Sequence, residues 1–322
     1  MTPARTWRRR LTFAAGLLIG GAITAELALR TIGIGNPPLY LTHPTVEYML
    51  AQGAYRRFGN NVTINSAHMR ATPEGLLRRA DPRERRVLVL GDSIIYGGDQ
   101  TDDSALAVTR LRGVDLGDGR PLVALNISCN SWGMGNLLAY LKEFGTFEAD
   151  SAVIVLNSFD YGDVREFVPL GHQLPTSRPW CALDEARHSI PRLLALITGE
   201  PYGDNADREA NPTEAAGNQS LDELRQLLDL LKARGITIAA VHHPRRDELD
   251  GKKSYIGASK LFPVFEAAGV PIISNGHYIG AANVRTDQLG TQRYYRDHVH
   301  LNAKGQECLL EAMVEGLKQS VK

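Results

Sequence analysis

The 322-residue chain is short of nearly every feature that marks a specialised class at sight. It has no net charge, with 36 Lys and Arg against 36 Asp and Glu. Without a basic excess or stripe, it carries no electrostatic footprint for nucleic acid. Cysteine is scarce: Cys129, Cys181 and Cys308 are the only three. An odd number cannot complete a disulfide framework, although a single bridge is open to a domain in an oxidising compartment. No C-x-x-C pair and no clustered His or Asp spacing occurs, so the expectation is no metal site and no cofactor. Internal repeats and low-complexity tracts are also missing. What remains is a hydrophobic share of 43% and a charged share of 22%, the balance of a globular protein. The length leaves room for one domain of about 200–250 residues plus additional segments.

The first strong signal is N-terminal. Trp7-Arg8-Arg9-Arg10 precedes an apolar run from Leu11 to Leu29, broken by Thr12, Thr24 and Glu26. At about 1.5 Å per residue such a helix nearly crosses a hydrocarbon core of about 30 Å. The arginines favour the cytoplasmic side, which sends the rest of the chain outward, into a periplasm or onto a cell surface. Glu26 lies near the far end, where a carboxylate reaches the interface. Residues 1–30 are thus expected to be a membrane anchor. A signal peptide cleaved near Ile23-Thr24-Ala25, which would yield a secreted protein, and a buried helix are the competing readings.

Residues 31–80 read as a linker followed by a small irregular or β-containing region. Pro37-Pro38 stops any helix, Asn60-Asn61 suits a turn, and Val62-Thr63-Ile64 has strand character. Residues 81–322 then alternate. Short apolar runs at Val87–Leu90, Val123–Ile127, Ala152–Leu156, Ile236–Val241 and Val270–Ile273 are separated by helical patterns at Asn136–Phe144, Ser220–Arg234 and Asn302–Lys318. Ser220 and Glu223 have capping-box spacing, and Gly235 suits the helix end. Such alternation predicts an α/β domain, a mostly parallel five-stranded sheet with helices on both faces. The stretch 160–219 is a long insertion with one expected helix near Arg187–Ile197, and insertions of this size commonly serve as lids or substrate-binding features.

A parallel sheet of this kind places its ligands beyond the carboxyl ends of its strands. The first run ends in Gly91-Asp92-Ser93-Ile94-Ile95-Tyr96-Gly97. A serine in a tight strand-to-helix turn exposes its hydroxyl and aims its N–H at an incoming carbonyl oxygen. It needs a base to take its proton. Asp297-His298-Val299-His300-Leu301-Asn302 offers one, since Asp297 and His300 are three residues apart and a single turn can join them. A bare helix N-cap at Asp92-Ser93 is the alternative without chemistry.

Together these two stretches resemble the SGNH (GDSL) hydrolase family, over roughly residues 86–319. The carrying motifs are Gly-Asp-Ser-x-x-x-Gly after the first strand and Asp-x-x-His-Leu-Asn before the last helix. The anchor followed by Ile64-Asn65-Ser66-Ala67-His68-Met69-Arg70 also looks like exported members of that group. The resemblance implies a three-layer α/β/α flavodoxin-like fold, and nucleophile, carboxylate and base roles for Ser93, Asp297 and His300. It places a second oxyanion N–H at Ser131, where the family has glycine. It also puts Phe159 where the family has an oxyanion asparagine, so Asn157 or Asn130 is left to supply an amide. Near the same rim, His242-His243 are candidate substrate contacts, Asp160 and Asp163 candidate lining residues, and His298 a neighbour of the base.

The resulting expectation is a serine esterase acting on acetyl or other carboxylic esters of a small molecule, a carbohydrate or a cell-envelope glycan. An O-acetyltransferase using the same three residues, and a glycan-binding or assembly protein without catalysis, are the alternatives.

Overall fold

The computed structural model describes residues 3–171, 173–188, 212–285 and 290–320. The apolar N-terminal run is helical over Pro3–Thr31 (α1). Its segment Arg9–Thr31, 23 residues with mean hydropathy 1.7, is long and apolar enough to cross a membrane, and no part of it is buried by the protein. Two antiparallel hairpins follow: β1 (Tyr40–His43) with β2 (Glu47–Leu50), and β3 (Gly53–Arg57) with β4 (Asn60–Ile64). The turn of the second hairpin is Phe58-Gly59, with φ of 50° and 83°, so Asn60-Asn61 lies in the strand rather than in the turn. A two-residue hairpin turn with both central residues at positive φ suits the right-handed twist of its strands, and Gly59 adopts that conformation without strain.

Tyr40, Val46, Leu50, Tyr55, Val62 and Met69 from this region share one apolar cluster with Leu88, Leu90 and Leu156 of the central sheet. The hairpins are therefore packed on the sheet.

That sheet contains β5 (Arg85–Gly91), β6 (Leu122–Ser128), β7 (Ser151–Leu156), β8 (Thr237–His242) and β9 (Ile272–Ser274). Its order is β6-β5-β7-β8-β9, and all four pairings are parallel, where a mostly parallel sheet was expected. Numbered within the sheet this is 2-1-3-4-5, the flavodoxin-like order.

Alternation along the strands builds the layers. Leu88, Leu90, Ala152 and Ile154 face one side, with α4 (Met134–Phe144), α5 (Glu214–Ala233) and α7 (Ile256–Ala267). Val87, Val89, Val153 and Val155 face the other, with α3 (Ala107–Leu111) and α9 (Ala303–Gln319). Helices α2 (Ser93–Tyr96), α6 (Arg246–Leu249) and α8 (Asn275–Arg285) follow strand ends. Each fully buried Leu, Ile or Val contributes about 1.5–3 kcal/mol, so strands buried on both faces hold the sheet strongly.

Helix α5 starts earlier than its capping-box pattern suggests. Thr213 is the N-cap, accepting from Ala216 N at 3.2 Å, while Ser220 is inside the helix and donates to the Asp160 carbonyl at 2.6 Å. Residues 214–219 are compatible with helix, and tertiary contact recruits the serine elsewhere. In the stretch 160–219, residues 182–188 are helical. The helix expected at 187–197 falls mostly outside the described residues. Cys129 and Cys308 are buried thiols, Cys181 is half-buried, and none is disulfide-bonded.

Candidate active site

Strand β5 ends in a turn that admits no side chain at its first position. A Cβ on Gly91 would come within 2.8 Å of Ile95 and 3.1 Å of the Val155 carbonyl. Asp92 caps the short α2, its Oδ1 accepting from Ile94 N at 2.8 Å, and Gly97 closes the helix in the left-handed region at φ 78°. Ser93 is the first residue of α2 and half-buried, so its hydroxyl stands at the carboxyl rim of the sheet.

The second half of the site is a turn before α9. Asp297 Oδ1 accepts from Val299 N at 2.9 Å and His300 N at 2.8 Å, a local carboxylate-to-backbone turn. Asn302 caps α9, accepting from Lys304 N and Gly305 N, and its amide donates to the Arg293 carbonyl. Arg296 N donates to the His300 carbonyl at 2.7 Å.

From the sheet, His243 Nε2 donates to the Val299 carbonyl at 2.8 Å, while its Nδ1 accepts from Asn275 at 2.9 Å. Because a carbonyl can only accept, these bonds define the His243 tautomer. Arg246 N donates to the His298 carbonyl, and Tyr295 Oη donates to the Pro244 carbonyl. The turn is thus held from both its flanks and from beneath.

The two halves meet. His300 Nδ1 lies 2.8 Å from Asp297 Oδ2, and His300 Nε2 lies 2.9 Å from Ser93 Oγ. With a proton on Nδ1 directed at the carboxylate, Nε2 is an acceptor for the serine hydroxyl. Burial opposes ionisation of Asp297, but the hydrogen bonds from His300 and from two backbone N–H groups outweigh it, holding the carboxyl well below the usual range. It therefore stays ionised and can stabilise an imidazolium. Asp92, by contrast, is pushed up to about 6 by burial, offset in part by the Ile94 N–H. Burial, followed by the nearby Asp92 charge, also raises Asp160 well above its ordinary value.

The remaining candidates are arranged as follows. Ser131 is exposed in the loop after β6, at φ 50°, a conformation that favours glycine. The Ser93 and Ser131 N–H groups bond to no protein acceptor among the described residues. Asn157 is largely committed: its amide donates to Asp92 Oδ2 at 3.0 Å, and its Oδ1 accepts from Phe159 N at 2.8 Å. Asn130 donates its amide to Tyr40 Oη at 2.7 Å.

Asp160 is buried, accepting from Asn157 N at 2.6 Å, and so acts within the turn. His243 is fully buried, and His242 packs its ring edge-on against Phe262. Burial lowers His242 to about 4 and His243 to about 3, so both are neutral near pH 7. His298 is exposed, and the Asp163 carbonyl lies against Gly133, where a Cβ would come within 2.2 Å of it. Among the described residues, no group of three or more His, Cys, Asp or Glu is arranged to hold a metal.

Two features escaped the sequence. The bracing pair His243–Asn275 left no motif. The Arg245 guanidinium lies 4.3 Å over the Phe159 ring and 5.3 Å from the Tyr255 ring, with Phe159 and Tyr255 edge-to-face at 5.0 Å. Three elements contribute to that stack, and no local spacing announces it.

No protein-family model matches the chain, and no curated protein matches it. Solved structures with similar topology include the psychrotrophic esterase EstA from Pseudoalteromonas sp., at 14% identity and TM-score 0.40, covering 74% of this chain and 98% of that one. An acetylxylan esterase, Axe2, from Geobacillus stearothermophilus is similar at 13% identity and TM-score 0.44, covering 72% and 94%. TesA is similar at 15% identity and TM-score 0.43, covering 73% and 99%. At scores this low the likeness carries no chemistry across, and the case rests on the atoms around Ser93.

Proposed function

We propose that this chain is a serine hydrolase of SGNH type that cleaves carboxylic esters, with Ser93 as nucleophile, His300 as base and Asp297 as its orienting carboxylate. The observation that supports it is the unbroken series of contacts from Asp297 through His300 to the Ser93 hydroxyl, at 2.8 and 2.9 Å. Isolated serine is a poor nucleophile, and a neutral imidazole within hydrogen-bond reach is what activates it.

Ser93 Oγ attacks the ester carbonyl while His300 Nε2 takes the hydroxyl proton. The negative charge developing on the carbonyl oxygen is met by the Ser93 N–H and the Ser131 N–H. His300 then returns its proton to the departing alkoxide, leaving an acyl-serine. Water, deprotonated by the same imidazole, releases the acid and restores the hydroxyl. Asn157 has one amide N–H left to contribute to the oxyanion, the other being held by Asp92.

The acyl group is an acetyl and the alcohol a carbohydrate or cell-envelope glycan. The half-exposed Phe159 and Tyr255 rings support this, because aromatic faces suit the apolar faces of sugar rings. The α1 helix anchors the domain on the outer side of a membrane, where such glycans lie.

The test is direct. The full chain in detergent is offered acetylated xylan, acetylated peptidoglycan fragments and a simple aryl acetate, and free acetate is measured with and without a sugar acceptor. Acetate release by wild type and its loss in Ser93→Ala support the esterase. Transfer to the acceptor in place of release would make it an O-acetyltransferase. No turnover of any donor, together with failure of a reactive phosphonate to label Ser93, would leave only a binding role.

A further inference from the structure

The anchor helix does not join the domain through a loose spacer. Gly33 and Gly35, at φ 85° and 93°, turn the chain directly onto the hairpins. A Cβ on Gly33 would come within 2.0 Å of the Arg56 carbonyl, so the approach is as close as backbone allows. Phe58 N donates to the Ile32 carbonyl at 2.7 Å, and Arg57 donates to the Gly33 carbonyl. Glu185 takes Gly35 N at 2.6 Å with one oxygen and Arg57 Nη2 at 2.5 Å with the other. Arg57 and Glu185 are both largely covered, which keeps this junction from being a surface ornament.

A second tie lies further back along the helix. The Glu26 carboxylate accepts from Ala182 N and Leu183 N, each at 2.9 Å, and from Arg30 Nε at 2.6 Å. Glu26 precedes the end of α1 by five residues, or about 8 Å at 1.5 Å per residue. The backbone at 182–183 therefore runs beside the helix, level with the apolar segment Arg9–Thr31 rather than beyond it.

The side chains at this level are apolar and uncovered. Trp180 is 85% exposed and Leu183 37% exposed, and at the helix end Ile32 and Phe58 are 44% and 42% exposed. Tryptophan on an aqueous surface at such exposure is unusual, whereas at a headgroup boundary its amphipathic ring is favoured. A helix of 23 residues extends about 35 Å, slightly more than a hydrocarbon core of about 30 Å, so its last turns lie at the bilayer interface.

We propose that residues 180–183 form a foot inserted into the outer interface of the bilayer, with Trp180 and Leu183 as the inserted side chains and Glu26 as the staple that holds the foot to the anchor. The inference rests on α1 spanning the membrane. Its occupant is the boundary between lipid headgroups and acyl chains, chosen because the exposed residues are continuous with the uncovered surface of α1. The consequence is a fixed tilt: anchor and foot give two points of attachment, so the rim bearing Ser93 is held at a constant height and orientation above the lipid.

The full chain is reconstituted into phosphatidylcholine–phosphatidylglycerol vesicles carrying bromine either just below the headgroup or deep in the acyl chains. A Trp7→Phe background leaves Trp132, which is buried in the domain, and Trp180 as fluorophores. Subtracting the spectrum of the Trp7→Phe, Trp180→Phe protein isolates Trp180. The expected result is blue-shifted Trp180 emission that shallow bromine quenches strongly and deep bromine weakly. Adding Glu26→Ala should shift the emission to the red and abolish quenching, with Glu26→Gln retaining part of it.

Resistance to alkaline carbonate extraction is measured on the same vesicles, so the anchor is tested separately. Extraction of the chain would overturn the membrane span itself. A carbonate-resistant chain whose Trp180 is red-shifted and unquenched would overturn the foot alone. Unquenched but blue-shifted Trp180, with cross-linking to a second copy, would also overturn it by replacing lipid with protein. Quenching unchanged by Glu26→Ala would remove Glu26 from its role as staple.

Discussion

The turn bearing Asp297 and His300 and the loops that follow β6 and β7 meet at the same rim of the sheet, yet their polar groups are satisfied to different degrees. In the first region both Asp297 oxygens are bonded, the Val299 carbonyl is held by His243, and the His300 carbonyl is held by Arg296. In the second region the Ser131 N–H meets no protein acceptor among the described residues, and Ser131 itself sits in a conformation that a serine adopts at some cost. Under the proposed reaction, the difference follows from what each would do. A proton-transfer pair works best when its geometry is set beforehand, whereas donors to a developing oxyanion have no partner until substrate arrives.

Removing the proton-transfer side should produce the largest effect. Ser93→Ala or His300→Ala is expected to lower kcat for ester hydrolysis by about 10⁴–10⁶, and Asp297→Asn by about 10⁴, with the far-ultraviolet circular dichroism unchanged. Equal activity in wild type and Ser93→Ala would erase the contrast between the two regions.

A brace should matter less than a member of the proton-transfer pair. His243→Phe keeps the ring volume but frees the Val299 carbonyl, and a displacement of the turn by about 1 Å costs roughly 10²-fold in kcat. KM should be unchanged, because His243 is buried away from any ligand. A change confined to KM would instead make it a substrate contact. Asn275→Ala, which releases the other ring nitrogen, should give a smaller loss in the same parameter.

Acid sharpens the comparison in a third way. His242 is neutral in the fold, lowered to about 4 by burial, whereas the unfolded chain protonates near 6.5. Below that unfolded value the unfolded state binds more protons, so stability falls as the pH drops from about 6.5 towards 4, at about 1.4 kcal/mol per unit. Asp92 acts oppositely. Its carboxyl, raised to about 6, holds its proton in the fold, so its contribution is complete below about 4 and lost as the pH rises through about 6. Denaturant titrations between pH 4 and 7 should show His242→Leu flattening the acid limb. An acid limb equally steep in the variant would assign it elsewhere.

The smallest expected effect is at Ser131. Ser131→Gly relieves the positive φ and should raise stability by about 1 kcal/mol while leaving turnover unaltered, since the backbone N–H is retained. A loss of turnover would mean that the Ser131 hydroxyl, and not its N–H, serves the reaction.

Much of the fold was legible because its causes are local. Val87–Leu90 and Ala152–Leu156 are strands buried on both faces, and an unbroken apolar run between turn signals is the pattern such burial demands. Strand order came only through the family resemblance and its flavodoxin-like fold, while the packing of the hairpins onto the sheet was not legible, because the residues of β1–β4 carry no mark of the partner they cover. The start of α5 is hidden for a similar reason: Ser220 has the spacing of a cap, but its hydroxyl finds a buried carbonyl at Asp160 while Thr213 caps the helix. At the site, the Asp297 turn closes within three residues and is visible in sequence. The Arg245–Phe159–Tyr255 stack draws on three separate elements and is not.

By itself the sequence determined the apolar segment near the N-terminus, the alternation of strands and helices, and the pairing of an aspartate with a histidine one turn away. Each depends on contacts between near neighbours, whose side-chain chemistry is sufficient to specify them. Only the tertiary structure decided that His300 reaches Ser93 across 207 positions, that His243 supports the turn that carries His300, and that Glu26 holds Ala182 and Leu183 beside α1. Those contacts exist because the order of the sheet and the packing on its faces bring distant segments together, and no short stretch of residues contains that information.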